Sequence, residues 1–344
     1  MFRFAPHDTR RNPAMKRAGI ILFQFLVTAA GLWYVFHDPQ RRAEIAEALR
    51  HTKLSWVLLG WICYSVVEVM ATVRWQILLR IQGIRLGWFR VGAMVMIGLF
   101  FNQFLPGGVG GDAMRIYFMF KQTPRKKIRA TLSIAMDRLL GLLAILFLAG
   151  MSFFLRFNWL TRQGGAPLHI EYLTFVLLSA GVMFVVFLFW LVNSGLLHRL
   201  PKGIPLRKVI IHLGEALLRY RKHLWAMAFA FLVTVVSHVA YYTSFYCAGQ
   251  ALRSPAGKTA SLADILSIMP LVNTITSVPI SLGGAGVRET LFQELLGNLA
   301  HVPPAIAAFT ASLGYLNQVS WGLVGALVFL ASRKIISAKA LKIF

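Results

Sequence analysis

The chain has 344 residues, 57% of them apolar and 14% charged, and a mean hydropathy of +0.64. Soluble proteins average roughly 45–50% apolar residues, so this surplus excludes an ordinary soluble domain and needs a bilayer to hide it. The net charge of +24 comes from 36 Lys and Arg against 12 Asp and Glu. These cations sit between the apolar runs, where the bias of cytoplasmic loops and attraction to anionic headgroups account for them, and nucleic acid is excluded as a partner.

In chain order, residues 1–18 read as a basic cytoplasmic tail carrying Arg3, Arg10, Arg11, Lys16 and Arg17. Apolar runs follow at about 19–36, 55–73, 91–105, 130–155, 171–193, 224–249, 262–282 and 304–331, and 332–344 reads as a second basic tail. The expected fold is an all-α polytopic membrane protein whose membrane domain covers 19–331. Cys63 and Cys247 both lie in apolar runs, which supports neither a disulfide framework nor a cysteine metal site.

Two of the runs are broken. The run from Val91 ends in Phe-Asn-Gln-Phe-Leu-Pro-Gly-Gly-Val-Gly-Gly-Asp (101–112), and the run from Leu262 contains Pro270 and ends in Val-Pro-Ile-Ser-Leu-Gly-Gly-Ala-Gly (278–286). Lys and Arg number 4 in 74–90 and 6 in 115–129, so the first broken run should enter and leave on the cytoplasmic side. The segment 250–261 holds 2 and the C-terminal tail 4, which makes 262–299 a hairpin entering from outside. The expectation is about six full spans plus two glycine-rich re-entrant hairpins, at about 91–115 and 262–299, with both termini cytoplasmic. Segment 37–54, nominally external, carries Arg41, Arg42, Arg50, Lys53, Glu44 and Glu47 and reads as an amphipathic interfacial helix.

The hairpins resemble one another. Gly107-Gly108-Val109-Gly110 aligns with Gly283-Gly284-Ala285-Gly286 at a shift of 176 residues, about half the chain. With 28 glycines in the chain, a Gly-Gly-x-Gly arises by chance only about 0.2 times. An inverted-topology repeat is the expected cause.

Non-helical backbone at membrane depth must be buried in protein or line a wet cavity. Each break is followed by a helix start, with Asp112 as the expected N-cap and Arg115 a turn on, and with Arg288 and Glu289 in the first turn of the second. Free N–H groups of Gly107, Gly108, Gly110, Gly111, Gly283, Gly284 and Gly286, the positive helix ends and a guanidinium able to take two phosphate oxygens would together suit a lipid phosphate. Arg115 and Arg288 are the headgroup candidates; the competing reading of Asp112 with Arg115 is a local i, i+3 ion pair. Glu68, Asp137 and Arg138 are ionisable groups in or beside spans, and Asp137 and Glu68 are expected to pair with Arg115, Arg138 or Arg288, as structural bridges or as switches of a transport cycle. Asp264 is expected to be a solvated interfacial acid. Asn102, Gln103, Asn273 and Thr276 are expected to satisfy freed backbone groups. His238, with the Tyr241 to Tyr246 stretch, reads as packing.

No metal-ligand spacing, nucleotide-binding loop or nucleophile elbow appears, and the longest polar connection, 194–223, is too short to house a nucleotide site. No cofactor is expected, and no enzymatic activity.

At 102–115, 279–289 and the Met-Asp-Arg-Leu-Leu-Gly of 136–141, the sequence resembles the flippase-like family named after the transmembrane region of lysylphosphatidylglycerol synthase. The resemblance implies a helical bundle of the cytoplasmic membrane that moves lipids between leaflets, in the best-known members an aminoacylated phosphatidylglycerol. The chain carries no counterpart of the soluble aminoacyltransferase domain of the full synthases, so a lipid-synthesising label is not expected to apply. The substrate stays open among anionic, aminoacylated and other lipids. The alternatives are a non-catalytic membrane partner of a lipid-modifying enzyme, and after it a transferase using a lipid-phosphate donor with Asp112 or Asp137 as base.

Overall fold

The computed structural model describes residues 13–105, 110–163, 207–252, 259–277 and 280–340, with scattered positions between 176 and 194. Among these the chain is all-helical, with no strand. The helices are α1 (Pro13–Phe36), α2 (Pro39–Arg50), α3 (Leu54–Ile81), α4 (Trp88–Phe104), α5 (Gly110–Gln122), α6 (Lys127–Gln163), α7 (Arg207–Arg221), α8 (Leu224–Ala251), α9 (Leu262–Ser277), α10 (Val287–Ala300) and α11 (Pro304–Ala340). A 3₁₀ turn, Pro124–Lys126, leads into α6.

Among the described residues, four stretches are long and apolar enough to cross a membrane: Leu54–Ile81, Pro124–Ser152, Leu224–Ala251 and Pro304–Ser332. Leu22–Phe36 and Leu262–Ser277 are shorter apolar helices. At 1.5 Å per residue the 28-residue α3 is about 42 Å long, whereas α4 and α5 reach about 26 and 20 Å, short of a crossing. Most of the expected run at 171–193 lies outside the described residues.

Several boundaries differ from expectation. Helix α1 begins at Pro13, inside the expected N-terminal tail, and α11 runs on to Ala340 through most of the expected C-terminal one. Charged residues end an apolar run but do not end a helix, because long basic side chains reach back to the interface while the backbone ladder continues. Segment 37–54 is indeed helical: Asp38 caps α2 by accepting from the Gln40 N–H at 2.9 Å, and Ile45 and Ala48 are buried against the bundle.

Helix order and length repeat along the chain. The series α2 to α6 has 12, 28, 17, 13 and 37 residues, and α7 to α11 has 15, 28, 16, 14 and 37. The two 28-residue helices form the central seam and run antiparallel. The Lys53 N–H donates to the Ala251 carbonyl, Trp56 meets Tyr246, and Tyr64 meets Tyr241, so residue numbers rise on one helix as they fall on the other. Cys63 and Cys247 are free thiols that touch across this seam.

Each hairpin then packs on the long helix of the opposite series. The Ser152 hydroxyl of α6 donates to the Leu266 carbonyl of α9, and Gly325 of α11 lies against the Met96 carbonyl of α4. Trp61 and Trp321 stack at 4.6 Å at the surface of the bundle, the Trp61 indole donating to Ser320 and the Trp321 indole to the Trp61 carbonyl. These contacts fasten α3 to α11.

Candidate functional site

The first hairpin closes on glycine. A Cβ on Gly111 would lie 2.0 Å from the Gly98 carbonyl oxygen, so α4 and α5 reach their observed separation only without a side chain there. Asn102, at the end of α4, accepts from the Gly111 N–H at 2.8 Å and so caps its neighbour helix across the turn. With that cap in place α5 starts at Gly110, and Asp112 falls inside its first turn rather than at the N-cap. A carboxylate there still faces the positive end of the helix. Residues 106–109, and with them Gly107 and Gly108, lie outside the described residues.

Beneath this turn, three helices place an ion network in the bundle. Asp137 of α6 accepts from Arg74 of α3 and, at 3.1 Å, from Arg115 of α5. Arg138, next along α6, donates to Asp112 at 2.6 Å, leaving Asp112 and Arg115 4.0 Å apart. The local i, i+3 pair is thus the weakest link. Arg115 is 8% exposed, its guanidinium stands 5.1 Å from the Trp75 ring, and its Nε has no partner. Glu68, buried on α3, makes no hydrogen bond through its carboxylate and no ion pair among the described residues.

The second hairpin turns through left-handed backbone at Gly283 (φ 58), Gly284 (φ 79) and Gly286 (φ 83). At Gly283 the requirement is steric as well, since a Cβ would lie 2.0 Å from the Tyr315 hydroxyl oxygen. Helix α1 holds this turn from one side. The Leu282 N–H donates to Thr28 at 2.9 Å, and a Cβ on Gly31 would come within 2.8 Å of the Gly286 Cα. Glu289 accepts from the Gly286 N–H at 2.7 Å and from the Ser312 hydroxyl at 3.1 Å, so it caps α10 and ties it to α11.

Arg288, 4% exposed, donates to the Gly283 carbonyl and stands over Tyr315, its guanidinium carbon 3.9 Å from the ring centre. It has no carboxylate partner among the described residues, and its Nη1 has no hydrogen-bond partner. Arg115 and Arg288 therefore differ. One is held by an acid, whereas the other is a buried cation on an aromatic face.

The end of α4 meets the turn of the second hairpin at Gly283. Gln103, at the end of α4, accepts from the Gln318 amide at 2.9 Å, Gln318 accepts from the Tyr241 hydroxyl at 3.3 Å, and Tyr241 packs on Tyr64. The Gln103 Nε2 lies 3.8 Å from the point a Gly283 Cβ would occupy and is itself buried without an acceptor. Two buried donors without acceptors, Gln103 Nε2 and Arg288 Nη1, thus flank one glycine. Among the described residues neither has an acceptor, and leaving a buried donor unmatched costs about 1–3 kcal/mol.

Other sequence candidates find quieter places. The Gly111 and Gly286 amides are bonded within the protein and are closed to a headgroup. Asp264 is a helix cap, exchanging hydrogen bonds with Ser261 at the start of α9. Asn273 donates to the Tyr242 hydroxyl at 3.4 Å, and Thr276 to the Val272 carbonyl at 2.7 Å. Arg74 escaped the sequence reading. It stands where the apolar run at 55–73 stops, but the pattern resumes with Trp75, Ile77, Leu78 and Leu79, and that resumption is the signal that the helix, and Arg74 with it, continues into the bundle.

Residues 21–329 match the family model described as the lysylphosphatidylglycerol synthase TM region. A UPF0104 membrane protein of Methanothermobacter thermautotrophicus is 22% identical over 314 residues, spanning 86% of this chain and 89% of that protein. A UPF0104 membrane protein of Methanocaldococcus jannaschii is 27% identical over 129 residues, 37% of each chain, so this second alignment speaks for little more than a third of either.

Proposed function

Because the chain belongs to the family of the lysylphosphatidylglycerol synthase TM region, we propose that it is a lipid translocase that moves a phosphate-bearing lipid between the leaflets of the cytoplasmic membrane without making or breaking a covalent bond. The observation that carries this reading is the pair of unmatched buried donors at Gly283. A headgroup phosphate offers the acceptors both require, and Arg288 supplies its countercharge with the Tyr315 ring behind it.

In this reading α4–α5 and α9–α10 are re-entrant hairpins, too short to cross, and the two five-helix series form an inverted repeat around the α3–α8 seam. The headgroup passes between the hairpin tips while the acyl chains stay in lipid. Asp137 and Arg115 form a structural clamp under the first hairpin, and Glu68, without a partner of its own, faces the passage. The lipids this chemistry admits are anionic and aminoacylated ones. Both termini are cytoplasmic, following the basic segments.

The test is leaflet exchange of labelled anionic, zwitterionic and aminoacylated lipids in liposomes containing the purified chain. Wild type exchanges at least one anionic or aminoacylated lipid, and Arg288→Ala and Gln103→Ala do not. Exchange that persists in Arg288→Ala, or no exchange of any lipid with or without a proton gradient, overturns the reading.

A further inference from the structure

A second concentration of positive charge lies far from the hairpin tips. The 3₁₀ turn, the first turn of α6 and α7 line an open cavity of about 470 Å³. Its charged lining is Arg125, Lys126, Lys127, Arg129 and Arg219, against the single acid Glu215. Five cations against one acid leave an excess of four positive charges.

The protein does little to offset them. Lys126 donates to the Gly83 carbonyl at 2.6 Å, and Lys127 stands 5.4 Å from the Phe120 ring. Arg125, Arg129 and Arg219 have no side-chain hydrogen bond or ion pair among the described residues, and even Glu215 and Arg219, four apart on α7, do not close into a salt bridge. The elements around the cavity are nevertheless tied together at two points. Gln82 of the α3–α4 connection donates to the Ala216 carbonyl at 2.9 Å, which docks α7, and Lys126 ties the 3₁₀ turn to the same connection. The first turn of α6 adds the positive end of a 37-residue helix.

Position decides between a dissolved anion and a lipid. At this end of the bundle α4 begins with Trp88 and Phe89, the latter 88% exposed, and α8 begins with Leu224 and Trp225, the latter 91% exposed. Exposed aromatic rings at helix ends are the mark of the membrane–water interface, so the cavity opens at headgroup level and not in bulk water. Basic pockets at that level suit headgroups with more than one phosphate.

We propose that this cavity is a separate lipid site, filled by a phospholipid carrying two phosphate groups, with Arg125, Arg129 and Arg219 as its principal contacts. It requires only that the chain sits in a membrane and does not depend on translocation at Gly283. A binding measurement therefore tests it separately from leaflet exchange.

The full chain is placed in phosphatidylcholine nanodiscs with and without cardiolipin, and bound lipid is counted by native mass spectrometry alongside thermal stability. Wild type retains cardiolipin and is stabilised by it. Arg125→Ala/Arg129→Ala/Arg219→Ala weakens retention about a hundredfold, from the contribution of each cation near anionic lipid. Glu215→Gln, which removes the one opposing charge, tightens retention several-fold, a direction that misfolding does not imitate. Unchanged retention in the triple variant, or weaker retention in Glu215→Gln, overturns the site. Equal stabilisation by inorganic pyrophosphate, with no preference for cardiolipin, overturns its assignment to a lipid.

Discussion

Arg115 and Asp137 grip one another at 3.1 Å inside the bundle, and Arg74 reaches the other oxygen of the same carboxylate from a third helix. Asp137 is thus the acid on which two cations depend, Arg115 buried and Arg74 partly so. Asp137→Asn leaves both without a hydrogen-bonded countercharge, and breaking a buried pair from one side costs about 3–5 kcal/mol. The expected result is a large fall in thermal stability of the purified protein. Replacing Arg74 and Asp137 together by Gln and Asn should cost less than the sum of the two single changes, which a double-mutant cycle measures directly.

Arg288 should behave in the opposite way. It is buried without a carboxylate partner, so the fold gains little from its charge. Arg288→Met is expected to leave the lipid-free protein as stable as wild type or more so, while abolishing lipid exchange. Added anionic lipid should raise the melting temperature of wild type and not of the variant. A large loss of stability in Arg288→Met would make the residue a structural one.

The two contacts closing the first hairpin should rank by mechanism. Gly111→Ala forces a methyl group onto the Gly98 carbonyl and is expected to cost 3 kcal/mol or more, at or beyond the upper end of the roughly 1–3 kcal/mol typical of overpacking. Asn102→Ala removes one cap and should cost about 1 kcal/mol. Unfolding midpoints of the two variants in detergent check the order.

Topology is directly measurable. In a Cys63→Ser/Cys247→Ala background, a cysteine at Arg85, in the α3–α4 connection, should react with an impermeant thiol reagent only from the cytoplasmic side. A cysteine at His51, at the other end of α3, should react only from outside. The reverse pattern would place both termini outside.

Much of this architecture was legible in the sequence, because hydrophobic length and glycine punctuation are local signals. The broken runs at 91–105 and 262–282 became helix pairs α4–α5 and α9–α10, and Arg115 and Arg288 both proved buried. Partner choice was not legible. Asp112 sits three residues from Arg115 yet bonds Arg138, and Asp137 draws Arg74 from 63 residues away, because relative helix placement sets these distances and spacing along the chain does not. The same holds for the glycine amides. They read as open anion donors until Asn102 and Glu289 are seen to occupy two of them.

The stacked indoles of Trp61 and Trp321 join α3 of one helix series to α11 of the other. At 4.6 Å their electronic transitions couple, so the pair should imprint an exciton couplet on the circular dichroism of the native protein. The couplet would collapse in Trp61→Phe or Trp321→Phe and would shrink whenever the two series part. The molecule thus carries an optical gauge of any separation between its two helix series, readable without a label and in the same vesicles in which lipid exchange is tested.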